Sequence, residues 1–356
     1  MTIKSKAVLV TGGAGYIGSH TCKALSLAGY TPVTYDNLVH GHRWAVQWGP
    51  LVRGDVADGE LLAETLRRHS IAAVIHFAGY AYVGESMSYP GKYFRNNIAN
   101  TLTLLEAIES VGVDKIVFSS TCATYGAPAE LPITEDMPQE PINPYGESKL
   151  VVERMLQWWG LAHRLQWAAL RYFNAAGADP DGEIGEDHQP ETHLIPLAIE
   201  AALGLRGPLE IYGSDYQTAD GTAVRDYIHV TDLASAHVRA LKHLERGGES
   251  VALNLGTGSG HSVREVVDMI GQISGRHVPV QFGARRDGDP PKLVANADRA
   301  REILGWQPRH SSLHSIVETA WRWHAEHRAM VAHPHGLNMS VTATAAPFSE
   351  AAPQTA

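Results

Sequence analysis

The residues best suited to chemistry in this chain are Tyr145 and Lys149, within the run PYGESK at residues 144–149. If that run opens a helix, both side chains lie on one face, because they are four positions apart. A free tyrosine titrates near pH ~10 and is a poor base at neutrality, but a nearby ammonium favours the phenolate. Such a phenol can exchange a proton with a substrate hydroxyl while a nicotinamide cofactor takes or returns hydride. Tyr-x-x-x-Lys also arises by chance on surface helices. Other motifs in the chain are therefore needed to identify Tyr145 and Lys149 as a catalytic pair.

A cluster of hydroxyl side chains, SSTCATYG at residues 119–126, follows the apolar run KIVF at residues 115–118. An apolar strand that ends there directs the cluster towards the carboxyl edge of a sheet, where ligands bind in open α/β folds. A hydroxyl at that edge can hydrogen-bond the same substrate oxygen and hold it at the phenol. Turn chemistry alone also places Ser and Thr after strands.

A glycine-rich turn near the amino terminus predicts the cofactor. Residues 10–18 read VTGGAGYIG, between an apolar strand at 7–10 and an apolar helical stretch at 16–28. Glycines permit a tight turn and a close approach to a pyrophosphate, and N–H groups at the helix start point at the anion. Glycine spacings starting at residue 12 and at residue 13 both fit, so the subfamily stays open.

The acidic residue that completes this pattern is Asp36, 18 positions after Gly18 and at the end of the apolar run 32–35. A carboxylate there accepts hydrogen bonds from the adenosine ribose. Asn37 and Leu38 follow it, and no adjacent arginine is present to bind a 2′-phosphate. We therefore expect NAD rather than NADP.

Strands and helices alternate along the first half of the chain. This alternation predicts an α/β fold, a Rossmann-like doubly wound parallel sheet with a smaller α/β substrate-binding lobe. Beyond the two strands already described, further strands are expected at 51–56, 72–79, 115–120 and 167–174, with helices at 101–110 and 147–161.

The second half of the chain has a different character. Gly, Pro and Asp concentrate at 177–190, which is typical of a long active-site loop. Shorter elements are expected at 209–213, 234–244, 251–256, 263–273 and 278–282. We predict an NAD-binding domain over 1–175, a partly interleaved substrate-binding lobe over 176–330 and a disordered tail over 331–356.

Composition disfavours several classes of protein. The formal net charge is −9 and no basic run is present, so we expect no nucleic-acid partner. We also expect no membrane association and a cytoplasmic location, because no apolar stretch could cross a bilayer and the first strand leaves no room for a secretory signal. Cys22 and Cys122 lie in apolar surroundings, which favours reduced thiols. The histidine pairs 324/327 and 333/335 lack Cys or carboxylate partners, so no metal is expected.

Several motifs, in order, make the chain resemble the extended short-chain dehydrogenase/reductase family and, within it, the UDP-glucose 4-epimerases. The resemblance runs from about residue 7 to residue 323. It is carried by TGGAGYIGSH at 11–20, YDNL at 35–38, VGES at 83–86, NN at 96–97, SST at 119–121, YGESK at 145–149, RYFN at 171–174 and VRDYIHV at 224–230.

The resemblance implies NAD-dependent 4-epimerisation of a UDP-hexose, UDP-glucose to and from UDP-galactose, through a transient 4-keto sugar. Tyr145 would be the acid/base, Thr121 its hydroxyl partner, and Lys149 the group that tunes the phenol and binds the ribose. The implied cofactor-binding residues are Gly12, Gly15, Tyr16, Ile17, Gly18, Asp36, Asn37, Asp55, Val56, Phe77, Ala78, Gly79, Ala81, Asn96, Thr121, Tyr145, Lys149 and Phe173. The implied substrate-binding residues are Thr121, Tyr145, Asn174, His193, Leu194, Tyr212, Arg225, Arg286, Asp289 and Leu293.

Three positions depart from residues common in that family. Ala81 stands where some members have a lysine near the cofactor, and His193 replaces a commoner asparagine that contacts the diphosphate. Leu293 aligns with a position that is a tyrosine in some members and smaller in others. A smaller residue leaves room beside the sugar, which would admit N-acetylated substrates.

Related activities need most of the same groups. A UDP-xylose/UDP-arabinose or a UDP-N-acetylhexosamine 4-epimerase stays open, because one methylene-sized group discriminates weakly. A 4,6-dehydratase is rejected, since those enzymes carry an Asp-Glu pair where Cys122 and Ala123 follow Thr121 here. A nucleotide sensor would not need all three catalytic groups, and a plain dehydrogenase would accumulate NADH.

The resemblance also implies a second copy of the chain as a partner. Family members are usually homodimers that pair two helices from each subunit, here those near 100–110 and 147–161. The apolar content of these helices fits a dimer, but a covered sheet face predicts the same content. Galactose use and polysaccharide precursor supply both need this reaction, so the pathway stays open.

Overall fold

The computed structural model describes residues 6–286 and 289–332 of the 356-residue chain. Most of the predicted tail, 333–356, therefore lies outside the described residues, while 331–332 end the last helix. The strands are β1 (Ala7–Thr11), β2 (Thr31–Asp36), β3 (Leu51–Arg53), β4 (Ile71–His76), β5 (Lys115–Thr121), β6 (Gln166–Tyr172), β7 (Asn174–Ala176), β8 (Leu209–Tyr212), β9 (Val224–Arg225), β10 (Tyr227–His229), β11 (Val251–Leu255), β12 (His261–Ser262), β13 (Val280–Gly283) and β14 (Lys292–Leu293).

The helices are α1 (Tyr16–Leu27), α2 (Gly59–Arg68), α3 (Val83–Ser88), α4 (Pro90–Tyr93), α5 (Asn100–Val111), α6 (Pro144–His163), α7 (Leu194–Ala202), α8 (Val230–Glu245), α9 (Val263–Ser274), α10 (Asp298–Leu304) and α11 (Leu313–Ala332). A π-helical segment, Phe94–Ala99, joins α4 to α5. No helix or strand interrupts the predicted loop at 177–190.

Seven parallel strands form the central sheet, in the spatial order β11-β6-β5-β4-β1-β2-β3. The chain runs outward from β1 through β2 to β3 and then returns to the other side of β1 with β4. The strand order therefore reverses between β1 and β4, which creates a crevice at their carboxyl ends. The predicted doubly wound sheet is confirmed, and this reversal places the glycine turn after β1 at the crevice.

Apolar side chains cover both faces of this sheet, as the nearly continuous apolar strands predict. One core cluster joins the sheet to α1 and α8, with Leu25 and Leu241 fully buried. A second cluster on the opposite face joins it to α2, α5 and α6, with Leu62, Leu104 and Leu156 fully buried. The sheet and the helices on its two faces thus form three packed layers, which fix the positions of the strand ends.

The two lobes exchange segments. β11 pairs with β6 at the end of the central sheet, and α8 packs against α1, although both elements follow the first strands of the second lobe in sequence. A third core cluster, built around α7, α9 and α11, forms the second lobe. The interleaving expected from the sequence therefore consists of β11 and α8 packing with the first lobe. The division of the chain at 175/176 remains a proposal.

A buried ion pair fastens α6 to β6. Arg171 and Glu153 are only 4% and 1% exposed. The Arg171 Nε donates to the two carboxylate oxygens at 3.0 and 3.2 Å, and Nη2 donates to Oε2 at 2.6 Å. Ser120 and Tyr125 complete the network, since Ser120 Oγ donates to Glu153 Oε1 and Arg171 Nη1 donates to the Tyr125 hydroxyl.

We expect Glu153→Gln to lower the free energy of unfolding by about 3 kcal/mol, because it leaves the Arg171 charge buried without its counter-ion. Chemical denaturation at neutral pH measures this loss. Asp136→Asn is the matched control, since its ion pair with Arg299 is 3.4 Å long and exposed; its effect should stay below about 1 kcal/mol. Equal effects of the two substitutions would refute a special role for the buried pair.

Candidate active site

The start of α6 positions the predicted acid/base pair. Pro144 occupies the first turn, and the Asn143 side chain caps the helix by accepting a hydrogen bond from the Gly146 N–H at 2.8 Å. The helix therefore begins three residues before the predicted limit of 147. Tyr145 and Lys149 lie one turn apart on it, as the spacing predicts.

Tyr145 contacts Thr121, the last residue of β5. The phenol is hydrogen-bonded to the Thr121 side chain, and the residue is half-buried. Burial raises the pKa of Tyr145 to about 12; the Thr121 hydrogen bond opposes this rise and the Cys122 thiol adds to it. Without a cofactor the phenol is thus a proton donor at neutrality.

Lys149 is a buried cation beside this phenol. Its Nζ donates to the Ser119 carbonyl at 2.8 Å and lies 4.8 Å from the centre of the Phe118 ring. Burial lowers the pKa of Lys149 to about 8, and Glu153 opposes that shift. The effects on the Tyr145 pKa come from burial, Thr121 and Cys122, so tuning of the phenol by Lys149 remains a proposal.

The glycine turn packs β1 against the loop that follows β4. Gly12 has φ +70°, in the left-handed region, and a Cβ there would lie 2.7 Å from the Ala78 backbone nitrogen. Gly15 caps α1 through its backbone, with no side-chain cap among the described residues. Gly18, inside the first turn, has no room for a side chain against Gly12 and Gly13. The helix start therefore presents bare N–H groups to an anion.

Asp36 lies where the ribose of a dinucleotide would be held. Its carboxylate is 7% exposed and accepts hydrogen bonds from the Ala14 N–H at 3.0 Å and the Leu38 N–H at 2.8 Å. Burial raises the pKa of Asp36, while these backbone donors oppose the rise. Next to it, the Asn37 amide donates to the Asp55 carboxylate at 2.9 Å.

The other predicted cofactor residues surround the same crevice. Gly79 adjoins Lys149, since a Cβ built there would be 3.6 Å from Nζ. A cavity of about 600 Å³ is lined by Asp55 and Asn96. Four further residues make contacts within the protein: the Tyr16 hydroxyl donates to the Gly177 carbonyl at 2.6 Å, and Ile17, Val56 and Phe77 pack on the cores. Ala81 is exposed and Ala78 donates its N–H to the Thr11 carbonyl.

Asn97 is a positioning residue that the sequence analysis did not single out from the Asn96-Asn97 pair. It is 3% exposed; its Oδ1 accepts from the Tyr80 N–H at 2.9 Å, and its Nδ2 donates to the Tyr80 carbonyl and to Ser148 Oγ, both at 3.0 Å. It thus joins the loop after β4 to α6. Asn97 lies in the π-helical segment, and this local irregularity directs its side chain towards Tyr80 and Ser148.

Five of the ten predicted substrate residues meet in the second lobe. Arg225 Nη2 donates to Asp289 Oδ1 at 2.5 Å, and in the β9–β14 register Arg225 is opposite Leu293. The Arg286 guanidinium lies 4.1 Å from the centre of the Tyr212 ring, a cation–π contact. These five residues therefore form one face that carries two guanidinium groups.

An apolar cluster joins this face to the acid/base pair. Phe173 and Tyr125 are buried in it, and Leu293 and Cys122 pack against it. Arg225 lies close enough to Cys122 to oppose the rise in its thiol pKa that burial causes. Because Cys122 directly follows Thr121, this contact places the Arg225 guanidinium near the Tyr145 phenol.

Asp226 is a second positioning residue that the sequence analysis missed. It is fully buried, and its carboxylate accepts from the backbone N–H groups of Thr257, Gly258 and Ala295. Its backbone carbonyl also accepts from the N–H and the amide group of Asn174 at 3.1 Å each. The available signal in the sequence was an Asp placed between two short runs with strand-forming residues, 224–225 and 227–229.

His193 and Leu194 mark the start of α7. The His193 Nδ1 lies 2.6 Å from Glu186 Oε1 and 3.2 Å from Glu191 Oε1. Burial lowers the pKa of His193, but the two carboxylates outweigh it and raise that pKa to about 10. His193 is consequently an imidazolium at neutral pH in the metal-free protein.

Comparisons with known proteins agree with this site. Residues 8–256 match the NAD dependent epimerase/dehydratase family. A curated UDP-glucose 4-epimerase from Rhizobium leguminosarum bv. trifolii is 54% identical over 90% of this chain and 98% of its own length. The crystal structure of UDP-glucose 4-epimerase from Brucella ovis in complex with NAD is 55% identical, with a TM-score of 0.88 over 89% of this chain and 98% of that one. The Bifidobacterium longum enzyme, solved with NAD+ and UDP, is 37% identical, with a TM-score of 0.85 over 93% and 100%.

The fold and the site define an NAD-dependent enzyme of the Rossmann type. The chain belongs to the NAD-dependent epimerase/dehydratase family, and within it to the isomerases that epimerise nucleotide sugars. The predictions of the family, of an isomerase and of NAD as the cofactor are confirmed. Among the helices of the described residues, none combines the length and apolar character that crossing a membrane requires.

Proposed function

We propose that this protein interconverts UDP-glucose and UDP-galactose by oxidising and re-reducing the sugar C4, with Tyr145 as the acid/base. The observation that carries the proposal is the hydrogen bond between the half-buried Tyr145 phenol and Thr121, one helical turn from the buried Lys149 ammonium. The named function of the relatives supports the choice of hexose over pentose.

The residues of the crevice fit NAD. The glycine turn leaves a bare helix start for the pyrophosphate, Asp36 is held ready for the adenosine ribose, and Lys149 offers ammonium N–H groups beside Gly79. When bound, NAD supplies the hydride acceptor and donor for C4. Thr121 and Tyr145 then hold the 4-hydroxyl between them, and Tyr145 moves its proton.

The proton step demands that the environment of Tyr145 change on binding. Burial keeps the pKa of the phenol near 12 in the cofactor-free protein. A positive charge beside the phenol favours the phenolate, so we propose that the filled site, with Lys149 charged, lowers that pKa. Tyr145 then accepts the proton of the 4-hydroxyl. It returns that proton after the 4-keto sugar has rotated in the site and presents its other face.

The second lobe supplies the diphosphate contacts. Arg225 is 13% exposed and is oriented by Asp289, and Arg286 is held over Tyr212. We propose that the N–H groups which these contacts leave available bind the two phosphates, with the His193 ring N–H as a further donor. Asn174 and Leu194 complete the proposed substrate site.

Substrate choice is tested by incubating the purified protein separately with UDP-glucose, UDP-galactose, their N-acetyl forms and UDP-xylose, and by separating the products. The proposal expects UDP-glucose and UDP-galactose to interconvert faster than any other pair. A faster conversion of UDP-xylose to UDP-arabinose would replace the hexose with a pentose as the substrate. Steady NADH accumulation would indicate a dehydrogenase instead.

Leu293 should influence the tolerance for N-acetylated sugars. It is half-buried, opposite Arg225, and packs against the Phe173 cluster. We expect Leu293→Tyr to reduce turnover of UDP-N-acetylglucosamine relative to UDP-glucose by roughly 10-fold or more, because the ring fills the space beside the sugar. An unchanged ratio of the two kcat/KM values would remove Leu293 from the specificity-determining residues.

We also propose a homodimer that pairs α5 and α6 of each subunit. Three large apolar side chains of these helices are exposed: Leu102 is 37%, Trp158 68% and Leu161 77% accessible. We expect a mass of twice 38.6 kDa by light scattering, and dissociation of the Leu161→Asp variant at micromolar concentration. The exposed Leu27→Asp substitution on α1 is the control and should leave the mass unchanged.

The proposed compartment is the cytoplasm. Cys22 and Cys122 are free thiols, and no described helix is suited to cross a membrane. Within the cell we propose a role in galactose metabolism, with a UDP-sugar as the small-molecule partner and no nucleic-acid partner.

A further inference from the structure

Four side chains of the loop before α7 converge beside the cleft: Glu186, His188, Glu191 and His193. Each offers one ligand atom, and these four atoms all lie within 4.8 Å of one another. Glu186 is 4% exposed, and the side chains of His188 and Glu191 are 17% and 7% exposed. The His193 side chain is 48% exposed, so two imidazoles and two carboxylates converge where a buried carboxylate meets the surface.

The distances between these atoms suit a tetrahedral ion. Bonds of about 2.0–2.2 Å from zinc to nitrogen and oxygen place neighbouring ligands about 3.3–3.6 Å apart. Here the Nδ1 atoms of His188 and His193 lie 3.1 and 2.6 Å from Glu186 Oε1, and 3.9 and 3.2 Å from the Glu191 oxygens. The observed values bracket the tetrahedral spacing, so small movements would complete the geometry.

Two buried atoms of this cluster lack hydrogen bonds. Glu186 Oε1 lies 3.1 Å from His188 Nδ1 and 2.6 Å from His193 Nδ1, yet neither Glu186 Oε1 nor His188 Nδ1 makes a hydrogen bond of acceptable geometry with any part of the chain that the structure describes. A buried polar atom without a partner is costly. An ion between the four ligand atoms would satisfy both.

A neighbouring cluster of three carboxylates is paired with a lysine, unlike the cluster of Glu186, His188, Glu191 and His193. Asp179, Asp181 and Glu183 also lie together, but the Lys23 ammonium is within 2.6–2.8 Å of all three carboxylates. That cluster already contains its cation. Around Glu186 and Glu191, the partners within ion-pair distance in the described residues are the two histidines, which can exchange a proton for a metal ion.

We propose that Glu186, His188, Glu191 and His193, the last through its Nδ1, bind one Zn²⁺ ion per chain. Imidazole nitrogen and carboxylate oxygen are the ligands of a borderline divalent metal. All four ligands come from the protein, so the ion has a structural role and replaces the proton on His193. It fixes the loop at 186–193 and the orientation of His193 at the edge of the cleft.

The experiment uses the full-length protein without an affinity tag, stripped of metal by chelation and then dialysed against Zn²⁺. We expect one Zn²⁺ per chain by elemental analysis, and a rise in the thermal midpoint when Zn²⁺ is added to the stripped protein. Replacement by Co²⁺ should give the intense visible absorption of a tetrahedral site. Both the stoichiometry and the absorption should disappear in His188→Ala and in Glu186→Gln, whose folding is checked by circular dichroism.

Two controls separate this site from adventitious binding. His314→Ala removes an exposed histidine that lies 4.0 Å from Glu318, and the double variant H333A/H335A removes the terminal pair. Both proteins should retain one Zn²⁺ and the thermal shift. The proposal is overturned if the unaltered protein takes up less than about a tenth of an equivalent of Zn²⁺, or if His188→Ala and Glu186→Gln, correctly folded, hold Zn²⁺ as tightly as the unaltered protein. Loss of Zn²⁺ only in H333A/H335A would also overturn the proposal.

Discussion

Replacing Tyr145 with Phe should lower kcat for epimerisation by roughly 10²–10⁴-fold, because it removes the hydroxyl proposed to move the 4-hydroxyl proton. Among the described residues, Thr121 is the side chain that shares a hydrogen bond with this phenol. Its hydroxyl cannot act as the base at neutral pH. The ring itself remains in Tyr145→Phe, so NAD content and the thermal midpoint should change little.

Tyr93→Phe is the matched control for this variant. Tyr93 lies 6.5 Å from Tyr145, ring centre to ring centre, and its hydroxyl is used inside the protein, by the Tyr82 carbonyl and Glu85. Loss of that oxygen should cost stability without reducing kcat by more than a few-fold. Turnover by Tyr145→Phe equal to that of Tyr93→Phe would assign the proton transfer to another residue.

Lys149→Met should have two opposite effects, a large loss of activity and a gain in stability. Burial lowers the pKa of Lys149 from about 10.5 to about 8, and each unit corresponds to about 1.4 kcal/mol. The folded, cofactor-free protein therefore carries a cost on the order of 3–4 kcal/mol for the buried charge at pH 7, which methionine removes. Activity should fall by roughly 10²-fold or more, because the buried ammonium that assists the phenol is lost.

The pH dependence distinguishes this explanation from better packing. Between pH 8 and pH 10.5 the unfolded chain holds a proton on Lys149 that the folded chain has released, so the stability of the unaltered protein rises with pH across that interval. The advantage of Lys149→Met should accordingly shrink from pH 7 to pH 10. Chemical denaturation of the cofactor-free proteins at several pH values measures it.

Lys115→Met provides the control, since Lys115 is paired with the exposed Asp114 at the start of β5. Its effect on the free energy of unfolding should stay below about 1 kcal/mol at every pH. A Lys149→Met protein that is less stable than the unaltered one at pH 7 would show that the ammonium stabilises the fold rather than straining it.

Local patterns were sufficient to predict the parts of the site that are close in sequence. The glycine turn, Asp36, and the pair of Tyr145 and Lys149 each lie within one strand-turn-helix unit, and such units are encoded by short-range periodicity and turn chemistry. Because parallel strands end at one edge, the order of the strands also placed Thr121 beside the later helix.

Long-range contacts explain what the sequence could not predict. Asn97 acts through a π-helical turn, which no simple periodicity encodes, and Asp226 gains its role from backbone groups of residues 257–258 and 295. The return of β11 to the central sheet depends on packing across the lobes. The four proposed ligands at 186–193 come together through the conformation of a loop without helix or strand, which residue spacing does not encode.

The most direct test of the central claim, that the same C4 carbon is oxidised and then re-reduced on this site, is the fate of its hydrogen. UDP-glucose carrying deuterium at C4 is incubated with the purified protein, without added NAD, and the UDP-galactose formed is analysed by mass spectrometry and NMR. The account predicts that the product keeps its deuterium at C4 and that turnover by Tyr145→Phe is largely lost. Product that has exchanged C4 deuterium for solvent hydrogen, or label that appears at another carbon, would contradict it.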